Sequence, residues 1–436
     1  MNRFFFGGIH PHYNNEMSNK SVEFHQLVPQ QVVIPLRQHI GAPCKPLVQV
    51  GDKVLLGQKI GDGEGLCVPV HASVSGKVVA IEPRPHTGGV PVESIVIEND
   101  FQDTAVPFVG MQEPTSELDA DGILHAIREA GIVGMGGAAF PGNVKALSAL
   151  GVVDTLIANA CECEPYITAD DSLLKTQPQQ VLEGLMLLHH VLQPQRVVLA
   201  VEDNKTVAIE TLRTLQKDYP LVEIMVLPTR YPQGSEKQLI QAVTGRQVPP
   251  GGLPSHVGCV VYNVSTFAAI YRAVRLGMPV YQRIVTVSGE AISQPQNFIA
   301  RIGTPFRDLI AQAGGLNDKT ERVISGGPMM GVAQSDLSVP VVKATNSILC
   351  LLKDRNGQAE NPVCLRCGKC IAVCPMHLQP LYMYRYTLAG NADRLTRLNI
   401  LDCMECGSCA FTCPGKLPLV EKFRLGKKLV REASNK

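Results

Sequence analysis

Eight of the 14 cysteines fall in two runs, Cys364-x2-Cys367-x2-Cys370-x3-Cys374-Pro375 and Cys403-x2-Cys406-x2-Cys409-x3-Cys413-Pro414. Thiolate is a soft ligand suited to iron–sulfur clusters or zinc. Spacing this tight lets three thiolates of one run wrap three irons of a cubane, while the fourth, before Pro, turns to the neighbouring cluster. The pattern predicts one [4Fe–4S] cluster on Cys364, Cys367, Cys370 and Cys413, and a second on Cys374, Cys403, Cys406 and Cys409. Structural zinc takes four ligands in C-x2-C pairs, which a third Cys followed by Cys-Pro fits poorly. The other six (Cys44, Cys67, Cys161, Cys163, Cys259, Cys350) are scattered and read as buried small apolar residues.

A second stretch with chemical potential is Gly131-Ile-Val-Gly134-Met-Gly136-Gly137-Ala-Ala-Phe140-Pro141. Glycines let backbone N–H groups come close to phosphate oxygens. The same glycines would also serve a tight structural turn, and the residues alone leave both readings open. The stretch is not the dinucleotide G-x-G-x-x-G fingerprint, because a helix pattern precedes it rather than a strand.

The elements that must hold these residues form a multidomain α/β chain. Its 436 residues suggest about three domains. With 45% hydrophobic residues it has enough apolar mass for sizeable cores. A net charge of +1 gives no overall attraction to nucleic acid. No apolar run approaches the ~20 residues that span a bilayer, so no transmembrane segment is expected.

Residues 1–112 are read as an N-terminal β barrel-sandwich-like domain. Short apolar runs (Gln31–Pro35, Lys77–Ile81, Ser94–Ile97) alternate there with Gly and Pro. Val50-Gly-Asp-Lys-Val-Leu-Leu-Gly57 and His71-Ala-Ser-Val-Ser-Gly-Lys-Val78 resemble lipoyl- and biotinyl-type sandwich domains, but the hairpin lysine that carries the swinging group has no counterpart. A structural or docking module is therefore expected.

Residues 113–280 read as a doubly wound α/β domain. Strands at Thr155–Asn159, Arg196–Val201, Val222–Leu227 and Gly258–Asn263 alternate with helices at Asp121–Ala130, Gln179–Leu192, Lys205–Lys217 and Ser235–Val243. Residues 281–350 suggest a β-grasp-like module: strands Ile284–Ser288 and Val323–Ser325, and a helix over Pro305–Ala313 ending at Gly314-Gly315. Asp354–Asn361 is polar and loop-like. In the last unit, residues 351–436, Leu381, Tyr384, Leu388, Leu395 and Leu398 give the spacer between the cysteine runs a helical look, so a helical dicluster ferredoxin domain is expected. The basic stretch Lys422–Arg431 reads as a solvated terminal helix.

The glycine loop, with Lys145 beyond it, resembles the flavin-binding loop of the flavoprotein subunit of respiratory complex I. Asn159-Ala-Cys-Glu-Cys-Glu-Pro165 is similar to that family's Asn-Ala-Asp-Glu-x-Glu-Pro, Tyr231-Pro-Gln-Gly-Ser-Glu236 to its Tyr-x-x-Gly-Glu-Glu, and Asn263-Val-Ser-Thr266 to its Asn-Val-Glu-Thr. A closer resemblance, over essentially the whole chain, is to the C-subunit family of Rnf electron-transport complexes. Gly7-Gly-Ile-His-Pro11, Val33-Ile-Pro-Leu36, the run from Ala160 to Asp171, Gln247-Val-Pro249, Gly326-Gly-Pro-Met-Met-Gly331 and both cysteine runs carry it.

The resemblance implies FMN, NAD(H) as substrate and electron relay through the two clusters. It places Gly134, Gly136 and Gly137 against the FMN or its phosphate, with Lys145 as counter-charge. It assigns Asn159, Glu162 and Asn263 to the flavin ring or ribityl chain, and includes Tyr231, Gly234 and Thr266 among the cofactor-binding positions. Glu164 and Glu236 would orient the nicotinamide or its ribose, and Phe140 would stack on the adenine. Four positions depart from the complex I pattern: Met135 replaces an Arg, Cys161 an Asp and Ser235 a Glu, and Ser148 falls where a second aromatic is used.

The implied whole is an NADH-linked oxidoreductase subunit of an ion-translocating complex. It would be peripheral on the cytoplasmic face of a bacterial-type inner membrane, partnered by integral membrane and ferredoxin-like subunits. The competing readings are a soluble NADH-dependent flavin reductase similar to the cobalamin reductases, and a pure electron-relay module.

Overall fold

The computed structural model describes residues 4–19, 24–353 and 362–434, so the loop expected at 354–361 lies outside the described residues. At the N-terminal end the strands Gln31–Pro35, Val92–Asn99, Gly76–Arg84 and Lys53–Val54 form one antiparallel sheet. Lys45–Pro46, Lys59–Asp62 and Val70–His71 form a second. Alternate residues point inward, and Val32, Ile34, Ile60, Val70, Ile95 and Ile97 are fully buried between the sheets. Gly76 is required at its position: φ is +153°, and a Cβ there would lie 1.9 Å from Glu98 O.

The middle of the chain holds a four-stranded parallel sheet in the order Val222–Leu227, Arg196–Glu202, Thr155–Ala160, Cys259–Asn263. Both faces are covered, so the strands read as continuous apolar runs. Leu156, Ala158, Leu199, Val201 and Val260 pack under helices Ala120–Glu129, Pro178–Leu192 and Val264–Leu276. Ile157, Val198, Ala200 and Val261 face helix Glu236–Thr244 on the other side. Helices Gly142–Leu147, Ala169–Thr176 and Val264–Leu276 add to those the pattern suggested. The last buries Val264, Phe267, Ala268, Ile270 and Val274 and keeps Arg272 and Arg275 on its less buried side.

A six-stranded mixed sheet follows, ordered His25–Leu27, Gln296–Arg301, Gln282–Ser288, Ser347–Leu352, Thr320–Ser325, Val332–Gln334, with helix Phe306–Gln312. Its apolar face (Val285, Val287, Phe298, Phe306) merges with the core of the N-terminal sandwich. An early segment of the chain ties the units together. Gly8 N–H donates to Val373 O (2.9 Å), Ile9 exchanges backbone bonds with Tyr231 (2.8 and 3.0 Å), and His25–Leu27 adds a parallel edge strand beside Phe298–Ala300.

The cysteine-bearing end is helical: Lys369–Ala372, Pro380–Leu388, Ala392–Arg397, Ser408–Phe411 and Leu419–Ser434. The final helix is not the solvated element expected. Leu419, Phe423, Gly426 and Val430 form a stripe at helical spacing that packs on Met383, Leu395 and Ile400. A glycine at the centre of that stripe hides it from a search for large apolar residues; a Cβ on Gly426 would meet Thr387 Oγ1 at 2.5 Å. Among the described residues no helix is long and apolar enough to cross a membrane.

Candidate functional site

The parallel sheet reverses its strand order beside Thr155–Ala160: the chain steps outward through two strands, then returns to add Cys259–Asn263 on the opposite flank. Ligands of such sheets bind beyond the carboxyl ends of the strands at this reversal. Asn159, one residue before the end of its strand, and Asn263, the last of the adjacent strand, are register partners. Above them opens a cleft of about 930 Å³. It is lined by every residue assigned above to the nucleotide site except Thr266.

Thr266 is fully buried behind the glycine loop, where its Oγ1 accepts from Met135 N–H (3.0 Å). It therefore positions the loop instead of facing the cleft. The loop also closes on itself, Gly134 N–H to Phe140 O (2.8 Å) and Ala139 N–H to Gly134 O (3.2 Å). That leaves Gly136 and Gly137 exposed at the rim, Gly137 with φ +116°, a backbone region open to glycine. Met135 points into the core at 5% exposure, so this position holds no charge toward the cleft.

The polar residues of the cleft are tied to one another. Asn159 Nδ2 donates to Gly234 O (2.8 Å) and its Oδ1 accepts from Cys161 N–H. Gly234 admits no side chain, since a Cβ would lie 2.0 Å from Cys161 O. Asn263 caps its helix through Ser265 N–H and donates to Asp170 Oδ2 (2.6 Å). Each side-chain amide keeps spare hydrogen-bonding capacity for a ligand. Glu162 accepts from the N–H groups of Asp170 and Asp171 at the start of helix Ala169–Thr176, with Lys205 Nζ 3.8 Å away. Burial pushes Glu162 up to about 8 against the pull of Lys205. Lys145 and Glu236 form an ion pair at 2.6 Å on the cleft wall, and Phe140 lies half-buried beside them.

Glu164 reaches the Gly326–Gly331 loop of the mixed-sheet unit, accepting from Met330 N–H (2.9 Å) and Met329 N–H (3.1 Å). Gly327 lies so close that a Cβ would meet Glu164 Oε2 at 2.2 Å. Burial raises this carboxyl to about 7. Tyr231, 1% exposed, sits on the cleft floor and donates its hydroxyl to Cys406 O (2.7 Å).

Sequence reasoning missed several wall residues. His86, Thr87 and Gly88 come from the N-terminal hairpin, Thr345 and Asn346 from the mixed-sheet unit, and Met404 from the cysteine-rich end. Only tertiary packing brings them together. Asp170 sits inside the Ala160–Asp171 run, where its spacing gave no sign of a role; its carboxylate also accepts from Ser265 Oγ (2.6 Å).

The two cysteine runs fold alike. Gly368 and Gly407, with φ +74° and +79°, each introduce a short helix, Lys369–Ala372 and Ser408–Phe411. Cys409 sits in the electrostatic field of Cys406, Cys403, Cys374 and, more weakly, Cys370, whereas Cys370 senses Cys413 and Cys367. Cys374 is thus within electrostatic reach of Cys403, Cys406 and Cys409 of the other run, and Cys413 of Cys370. Among the 14 cysteines no two are joined in a disulfide.

Four family models match the chain. They describe an RnfC barrel sandwich hybrid domain over residues 3–102 and a Nuo51 FMN-binding domain over 127–272. An SLBB domain matches 284–333 and a 4Fe-4S dicluster domain 358–414. The C subunit of the Na+-translocating ferredoxin:NAD+ oxidoreductase complex of Acetobacterium woodii is 46% identical over 97% of this chain and 96% of its own. The C subunit of the proton-translocating counterpart of Clostridium ljungdahlii is 45% identical over 86% of this chain and 82% of its own. The chain belongs to this C-subunit family. An FMN-binding domain and a dicluster domain are thus the family's redox parts here. A solved NAD+-reducing [NiFe]-hydrogenase in the H2-reduced state shares the fold at TM-score 0.50 and 21% identity, covering 73% of this chain and 63% of that one.

Proposed function

We propose that this chain is the peripheral, NAD(H)-facing subunit of a membrane-bound ferredoxin:NAD+ oxidoreductase complex that couples electron transfer to ion movement. When bound, FMN exchanges hydride with the nicotinamide and single electrons with [4Fe–4S] clusters. The observation that carries the reading is the bond from Tyr231, on the cleft floor, to the backbone of Cys406. It makes the wall of the nucleotide cleft and the shell of one cluster a single piece of structure.

Within this reading the exposed backbone of Gly136 and Gly137 receives the phosphate, and Lys145 supplies positive charge to it. Asn159 and Asn263 orient the ring or ribityl chain, Gly234 lets it approach, and Glu162 holds the helix that presents Asp170. Phe140 and Glu236 stand at the outer rim, placed for the adenine and ribose of the dinucleotide. Glu164 fixes the Gly326–Gly331 loop, so it orients the nicotinamide side of the cleft through that loop. Cys364, Cys367, Cys370 and Cys413 hold one cluster, and Cys374, Cys403, Cys406 and Cys409 the other. Met404 lines the cleft and Cys406 is bonded to Tyr231, so a cluster held by Cys374, Cys403, Cys406 and Cys409 would be the one placed to take single electrons from the flavin. Integral membrane and ferredoxin-like subunits complete the path at the cytoplasmic face of the membrane.

Anaerobic purification followed by iron, sulfide and flavin counts tests the assignment. About eight irons from two cubanes and one FMN per chain are expected. NADH should bleach the flavin and develop reduced-cluster EPR signals. A flavin indifferent to NADH, or a colourless protein, would refute it.

A further inference from the structure

Outside the redox machinery, three metal-ligating side chains converge in the N-terminal sandwich. Cys44 Sγ and Cys67 Sγ are 3.5 Å apart, Cys67 Sγ is 3.7 Å from His39 Nε2, and the three donor atoms lie within 4.8 Å of one another. All three residues are buried, at 6%, 3% and 2% exposure for His39, Cys44 and Cys67. In a tetrahedral Zn2+ site with bonds of about 2.3 Å to sulfur and about 2.0–2.1 Å to nitrogen, two sulfurs lie ~3.8 Å apart and a sulfur and nitrogen ~3.6 Å. The sulfur–sulfur and sulfur–nitrogen separations here match those edges.

The surroundings suit a metal. His39 Nδ1 is 3.2 Å from Ile40 O, so that nitrogen carries the proton and Nε2 turns its lone pair toward the thiols. A carbonyl fixing the far nitrogen is the usual support of a metal-bound imidazole. The lone pair is met only by a long bond from Val68 N–H (3.3 Å). Val68 O, 3.3 Å from Cys44 Sγ and 4.0 Å from Cys67 Sγ, borders the remaining position. Behind the three ligands the Lys343 side chain is tied to Pro69 O and Gly131 O (both 2.6 Å).

We propose that His39, Cys44 and Cys67 bind a thiophilic metal ion, with Zn2+ the ion whose geometry they match. Binding forms two metal–sulfur bonds and one metal–nitrogen bond, and releases two thiol protons to solvent. The ion joins two loops that brace the glycine loop from behind. Ile40 N–H donates to Ala139 O (3.2 Å), Val68 packs on Val133 and Ala139, and Lys343 holds Gly131. It is a staple, separate from the path of the electrons.

The test is elemental analysis and zinc-edge X-ray absorption on the full chain, purified anaerobically with its clusters after growth with added zinc. One zinc per chain is expected beside the cluster iron, in a mixed shell of two sulfurs and one or two nitrogen or oxygen atoms. His39→Ala and Cys67→Ser should each lose the zinc and keep the iron, while Cys350→Ser, at a buried cysteine elsewhere, should keep both. Absence of zinc, an all-sulfur shell marking zinc in an emptied cluster site, or a Cys44–Cys67 disulfide in peptide maps would overturn the proposal. Should the variants not fold, the wild-type absorption shell decides alone.

Discussion

Glu164→Gln isolates the electrostatics of the seam between the parallel-sheet unit and the Gly326–Gly331 loop. Burial raises the carboxyl from 4.5 to about 7, although Met329 and Met330 N–H oppose the rise. A carboxyl with a raised folded-state pKa favours folding when protonated. That contribution is whole below about 4.5 and is lost as pH climbs through about 7. Integrating the linkage from pH 5 to pH 8 gives roughly 2–3 kcal/mol of stability that wild type loses at this one group. Gln carries no charge and escapes the loss. It offers one acceptor where the carboxylate offers two, leaving one amide short at about 1–2 kcal/mol. The curves should therefore cross, with the variant less stable near pH 5 and equal or more stable near pH 8. Glu162 and Glu202 also have raised values, but they are common to both proteins and cancel in the difference. Denaturation midpoints of the cofactor-loaded proteins, measured side by side from pH 5 to 8, give the readout. A variant-minus-wild-type difference that stays flat across this range would refute the reasoning.

Other perturbations address the cofactors directly. Tyr231→Phe removes the hydroxyl bonded to Cys406 O and leaves a buried carbonyl unpaired, so it should cost about 1–3 kcal/mol of stability; stopped-flow absorbance should also show slower cluster reduction after flavin bleaching. Cys374→Ser should disturb the EPR signal of the cluster on Cys403, Cys406 and Cys409 more than that of its own run, and Cys413→Ser should do the converse. Lys145→Met should weaken FMN retention several-fold on gel filtration yet shift the melting point little, because an ion pair this exposed contributes under about 1 kcal/mol. Gly137→Ala forces a side chain into φ +116° and should lower flavin occupancy while iron content stays constant.

The elements legible beforehand were those with short-range signals. The four parallel strands stood out as apolar runs between helical patterns, and the cysteine runs needed nothing beyond their spacing. Helix Val264–Leu276 starts directly from the strand Cys259–Asn263, with Asn263 as its cap, so no loop or turn residues mark its beginning. Helix Gly142–Leu147 is too short to show one. The packed face of the terminal helix escaped because Gly426 stands where a large apolar residue was sought. The nucleotide cleft was legible on the wall built by the parallel-sheet unit. Its opposite wall comes from hairpin, loop and cluster residues far apart in sequence. Thr266 had the right neighbourhood but the wrong direction: the pattern marks a residue near the ligand, and only coordinates show that it faces the loop's back.

The backbone bonds of Gly8 and Ile9 bear on how the molecule is made. Their partners, Val373 and Tyr231, emerge from the ribosome much later, Val373 only after three other units have been synthesised. Contacts of such sequence separation close slowly. During synthesis Ile9 can pair with Tyr231 once the parallel-sheet unit is made, but Gly8 waits for Val373 of the cysteine-bearing unit. A chain cut off before Val373 lacks this bond, so limited proteolysis near the N-terminus should be faster in a variant shortened to residue 350 than in the full chain.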